Sequence, residues 1–158
     1  MAIQIRPYQP SDRDFILSLI TSFSEFELPE WRRKEEIDRA NQVFLEQVMN
    51  QPEPDSAIFV AEEENGTLAG FIHLQTQTDY FSGEKHGYIS DVAVSKDFEG
   101  QGIGRLLLEI AEGWTRTKDY HLLTLYVFAG NTHAQQIYEK QGFHQEVIKY
   151  VKTIRSRG

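Results

Sequence analysis

A chain of 158 residues, 40% hydrophobic and 25% charged, can bury a core without disulfides or a structural metal. It has no cysteine, which excludes a thiol nucleophile, a disulfide framework and cysteine-ligated zinc. A formal charge of −8, from 24 acidic against 16 basic residues, argues against a nucleic-acid partner, and with no signal segment or long apolar run in view a cytoplasmic protein without a membrane partner is expected.

Alternating Ile3-Gln4-Ile5-Arg6 predicts a first strand. Ser11-Asp12-Arg13-Asp14 reads as a capping box, and Phe15, Ile16, Leu19, Ile20 and Phe23 recur at helical spacing, so a helix is predicted from Asp12 to Phe23. Leu28-Pro29-Glu30 interrupts it. Ile37, Ala40, Phe44, Leu45 and Val48 then mark a second helix ending before Pro52 and Pro54. Ala57–Ala61 and Leu68–Leu74 flank Asn65-Gly66, a strong signal for a hairpin. Gly87–Val94 reads as the next strand. The following helix is carried by Ile103, Leu106, Leu107, Ile110, Ala111 and Trp114, spaced i, i+3, i+4, i+7, i+8 and i+11. Leu122–Phe128 is a further strand, Thr132–Gln141 a short helix closed by Gly142, and His144–Ile154 a final strand on which Lys149, Lys152, Arg155 and Arg157 form a solvated face and tail. The expected architecture is one mixed sheet with the order β-α-α-β-β-β-α-β-α-β, in a single domain over residues 1–158.

Between the apolar strand and its helix stands Glu99-Gly100-Gln101-Gly102-Ile103-Gly104-Arg105. Free N–H groups at a helix start, approached through glycines, make a seat for phosphate; a plain tight connection uses glycine equally well. A dinucleotide fingerprint needs its third glycine where Arg105 stands, and no Gly-Lys-Ser or Gly-Lys-Thr supports a kinase-type loop. His73, His86, His121, His133 and His144 show no metal-ligand spacing, so no metal is expected.

The element order, the Val92-Ala93-Val94 strand, the Gly100-Gln101-Gly102-Ile103-Gly104 turn and the later Asn131-Thr132-His133-Ala134-Gln135-Gln136-Ile137-Tyr138 together resemble the GNAT superfamily of N-acetyltransferases over nearly the whole chain. The resemblance implies an α/β (α+β) fold: a single, mostly antiparallel mixed sheet with helices on both faces. It further implies acetyl-CoA as co-substrate, with Gly100, Gln101, Gly102, Ile103, Gly104 and Arg105 at the pyrophosphate. Val92, Ala93 and Val94 would lie along the pantetheine arm, Asn131 beside it, and Tyr138 would act as the acid that protonates the departing thiolate. Glu99 departs from the family's Gln or Arg, and Ser90 stands where many members carry glutamate. The residues alone leave alternatives open: core valines, a helix N-cap at Asn131, a core aromatic at Tyr138.

The proton acceptor is sought among Asp91, Glu25, Glu27, His73 and His121, with Asp91 also readable as a carboxylate at a bulge. Glu25-Phe26-Glu27-Leu28-Pro29-Glu30-Trp31 lies where the family builds its acceptor pocket, and its carboxylates suit a small-molecule or peptide amine; a solvated loop suits them equally. A homodimer is compatible with the reading. The alternative function is a non-catalytic CoA-binding or sensing module of the same fold.

Overall fold

The computed structural model describes residues 2–157. Five strands, β1 (Ile3–Pro7), β2 (Ala57–Glu63), β3 (Leu68–Thr78), β4 (Lys85–Val94) and β5 (Leu123–Leu125), form one sheet in that spatial order. All neighbours are antiparallel except β4 and β5, which run parallel. The helices are α1 (Arg13–Ser18), α2 (Lys34–Asn50), α3 (Ile103–Thr117) and α4 (Thr132–Lys140). Among the described residues, no helix is long and apolar enough to cross a membrane.

Alternation along the strands builds two cores. Ile72 and Leu74 pack with Ile89, Leu107, Leu108 and Ala111 on the α3 side. Phe71 and Val60 pack with Ile16, Ile20 and Leu45 on the α1/α2 side. The sheet is therefore covered on both faces. Leu107 has no exposed surface; Leu107→Ala should cost about 3 kcal/mol by transfer and cavity terms together, read as a lowered urea midpoint.

The Asn65-Gly66 hairpin forms as predicted: Gly66 takes φ +91° and Asn65 Oδ1 accepts from the Thr67 amide at 3.0 Å. The first helix is corrected. Instead of running from Asp12 to Phe23, the segment is a short α-helix between two 3₁₀ turns, Pro10–Asp12 and Ile20–Ser24. The hydroxyls of Ser18 and Ser22 donate back to the carbonyls of Phe15 and Leu19, both at 2.5 Å, which competes with regular helix continuation. Nor do Ser11 and Asp14 make the cap. Buried Asp12 accepts from the Gln9 amide at 2.8 Å and from the Arg6 guanidinium at 2.9 Å. Burial alone would raise the Asp12 carboxyl, but those bonds outweigh it and hold it below its ordinary value.

The final strand, predicted over His144–Ile154, is also corrected. Among the described residues none after Lys140 is helical or paired, and Val147 and Tyr150 are 71% and 90% exposed. The alternation is present in the sequence, but β5 pairs for only three residues and offers little edge to receive it. Arg157, expected in a solvated tail, instead binds Glu36 at the start of α2 at 2.9 Å.

Candidate active site

Two irregularities in β4 prepare the site. The first is where it stops pairing with β5. Only Gly87, Tyr88 and Ile89 face Leu123, Thr124 and Leu125; beyond Ile89 the two strands part. Asp91–Val94 remain paired with β3 on one side only, so their other edge presents backbone N–H and C=O groups to a gap.

The second irregularity is a bulge. His73 faces Asp91 and Leu74 faces Ile89, which leaves Ser90 as the extra residue. The bulge switches the alternation, sending Tyr88 to the same side of the sheet as Asp91 although they are three apart. Ile89 and Val92 belong to the α3-side core, whereas Ala93 packs on the α1/α2 side. Asp91 therefore shares the α1/α2 side with His73, whose Nδ1 lies 3.0 Å from Asp91 Oδ2. The pair is enclosed, with His73 2% and Asp91 7% exposed. Tyr88 is pushed above the ordinary phenol range by burial first, then by the charge of Asp91.

The glycine turn sits at the open end of β4. Phe98 is buried in the α3-side core and pins the turn, while Gly100 and Gly102 take φ +78° and +80°. Gly102 is the N-cap of α3, and no side chain caps it, so the first N–H groups of a fifteen-residue helix are left for a ligand. A Cβ added at Gly100 or Gly102 would meet nothing within 4 Å. Ile103 is buried and offers only its backbone, and Arg105 lies along the helix toward Glu109 at 3.4 Å. Glu99 is exposed. These residues fit a pyrophosphate: free donors, open space and a helix dipole in one place.

Tyr138 on α4 packs on the α3 side with Val92, Val94 and Leu125 and edge-on to Phe143 at 6.0 Å between ring centroids. Burial pushes its phenol above the ordinary value. Asn131 is the N-cap of α4, its side chain accepting from the Ala134 amide at 3.3 Å.

The Glu25–Trp31 loop bridges the segments that follow β4 and β5. Lys34 Nζ bonds Ser24 Oγ at 2.7 Å and Asp38 at 3.1 Å, holding the two ends of the loop together. Glu25 meets Lys96 at 3.5 Å beside the turn. Phe26 packs on Phe128 beyond β5 at 5.5 Å. At Gly130 a Cβ would run into the Glu27 carbonyl, so glycine permits the close approach. The loop thus reaches from the end of β4 to the segment after β5. His121, by contrast, lies at the paired end of β4 and β5, away from the gap.

Tyr88, Lys96 and Gly130 were not singled out from the sequence. Gly130, directly before Asn131, carried a legible signal as a glycine at a strand-to-helix connection; Tyr88 did not, because its side depends on the bulge.

The sequence profile of the acetyltransferase (GNAT) family matches residues 16–143. A mycothiol acetyltransferase of Propionibacterium freudenreichii is 35% identical over 88 residues, covering 56% of this chain and 28% of that protein. An aminoglycoside N(6')-acetyltransferase of Stenotrophomonas maltophilia is 31% identical over 65 residues, 39% of this chain and 42% of that protein. The chain thus spans less than half the length of either relative. A putative acetyl transferase from Pyrococcus furiosus superposes with a TM-score of 0.77 at 27% identity, covering 97% of this chain and all of that one.

Proposed function

The chain belongs to the acetyltransferase (GNAT) family, and on that premise we propose that it is an N-acyltransferase moving an acetyl group from acetyl-CoA directly to a primary amine. The observation that carries this reading is the free edge of β4, with the Asp91 carboxylate on one side of the sheet and the Tyr138 phenol packed on the other. A thioester laid in the gap meets both.

The pantetheine arm satisfies the unpaired groups of Val92, Ala93 and Val94 as an added strand would. Its pyrophosphate takes the amides of Gly100–Arg105, and Asn131 supports the arm from the start of α4. The acceptor enters as an ammonium drawn by Glu25 and Glu27 in the loop. Asp91, directly or through a water, takes its proton, and the nitrogen lone pair adds to the thioester carbonyl carbon. Backbone N–H on the gap edge holds the oxyanion. As the C–S bond breaks, the sulfur takes the Tyr138 proton, and the new amide nitrogen loses its second hydrogen to water. Asp91 then gives its proton to solvent and Tyr138 regains one, so that one proton is released per turnover.

Glu99 and Ser90, which depart from the family pattern, are the residues that favour a non-catalytic module. Glu99 is solvent-exposed and leaves the amides of the turn in place, and Ser90 is the bulge residue beside a carboxylate that occupies the required side. Both observations favour the enzyme. An amine-panel screen reading CoA thiol release should yield a cationic acceptor whose KM rises with ionic strength, because its attraction to exposed carboxylates is screened. Preference for an anionic acceptor with a salt-independent KM would remove the acidic-loop reading.

A further inference from the structure

A histidine and an aspartate facing each other at a bulge could be mere core satisfaction, since buried polar groups need partners. Three features argue for more. The bulge places the pair at the position where β4 loses its second neighbour, so the carboxylate stands at the head of the gap and not in the middle of a closed sheet. Only Oδ2 of Asp91 has a hydrogen-bond partner among the described residues, yet Oδ1 is not among the polar atoms sealed from solvent without one. The His73 ring is fixed from behind by Phe44 of α2, 5.7 Å between ring centroids.

We propose that His73 is a positioning residue for Asp91: its Nδ1–H holds Oδ2 so that Oδ1 is the oxygen offered to the incoming ammonium. A carboxylate can only accept, so Nδ1 carries the hydrogen. The imidazole touches neither substrate nor acetyl group; it acts through the carboxylate, fixing its rotamer so that the free oxygen keeps one orientation. This rests on Asp91 being the proton acceptor, as the function above has it. The ionisable group facing the pair from β4 is Tyr88. From α2 the uncharged Phe44 packs against the imidazole.

Three variants of the full chain separate the possibilities. His73→Asn keeps an N–H near the place of Nδ1, His73→Leu fills the space without a donor, and Asp91→Asn removes the acceptor. With the best amine from the screen, His73→Leu should lower kcat by about 30-fold while leaving the acetyl-CoA KM within twofold, and His73→Asn should stay within about fivefold of the parent. The rising limb of kcat/KM against pH should move in His73→Leu and return toward the parent in His73→Asn. The double variant His73→Leu/Asp91→Asn should be no slower than Asp91→Asn alone, because a positioning residue has nothing left to position.

A folded His73→Leu with parent kcat and an unmoved pH limb overturns the proposal and leaves the pair as structure. Should His73→Leu fail to fold, His73→Gln takes its place: its amide reaches toward the Nε2 position, so activity equal to that of His73→Asn would count against Nδ1 donation. Full activity in Asp91→Asn is a different failure. It would remove Asp91 as the base, and the positioning role with it.

Discussion

Gly102→Val should weaken acetyl-CoA binding at least a hundredfold in a calorimetric titration, a loss of roughly 2.7 kcal/mol, while the protein stays folded. Gly102 combines φ +80° with open space where a Cβ would stand. The backbone strain falls on the fold, costing about 1–2 kcal/mol. Its Cβ would meet nothing in the protein within 4 Å, so the added bulk is felt by the ligand. Gly66→Val separates the two effects, since Gly66 at φ +91° lies in the β2–β3 hairpin. That control should lose comparable stability and keep full affinity. Equal affinity in the two variants would mean that the glycine turn is a tight connection and nothing more.

Tyr138→Phe should lower kcat about 10²-fold and leave the acetyl-CoA dissociation constant within twofold. A thiol, with a free pKa of about 8.5, develops negative charge on sulfur as the C–S bond breaks, and a phenol beside it stabilises that charge in the transition state at any pH where the phenol keeps its hydrogen. Burial keeps the Tyr138 phenol above its ordinary range. Because the shift is upward, the hydroxyl keeps its hydrogen throughout the neutral and mildly alkaline range, and the donor is lost only above about pH 10. The deficit of the phenylalanine variant should accordingly be the same at pH 7 and pH 9. A deficit that shrinks as pH rises would point to a donor that titrates in that interval, and parent activity throughout would show the thiolate departing without Tyr138.

Much of the local geometry around the candidate site is legible in the sequence. Glycines near a helix start identify the turn because only such residues take φ near +80° at low cost, and the spacing from Ile103 to Trp114 identifies the helix because one face must be apolar to pack. Asn131 was legible as a cap for the same local reason. Less was visible where the outcome depends on pairing. Alternation over His144–Ile154 marks a strand only if an edge exists to meet it, and β5 stops at Leu125. The segment up to Phe23 has helical spacing, yet the serine hydroxyls, which periodicity ignores, turn its backbone aside. The side chosen by Tyr88 and Asp91 depends on one inserted residue, and counting by twos through an unseen bulge assigns the wrong face.

The parting of β4 and β5 has a cost unrelated to chemistry. A strand that outruns its last neighbour carries the hazard of an outer edge, because unpaired strand amides recruit any extended polypeptide, including an unfolded copy of the same chain. Proteins guard outer edges with charge and covering segments. Here the Glu25–Trp31 loop does both, anchored at Lys96 on one side and Phe128 on the other, with carboxylates at its near end. The loop proposed as an acceptor site stands, by the same contacts, where it shields the free edge of β4 from an extended second chain.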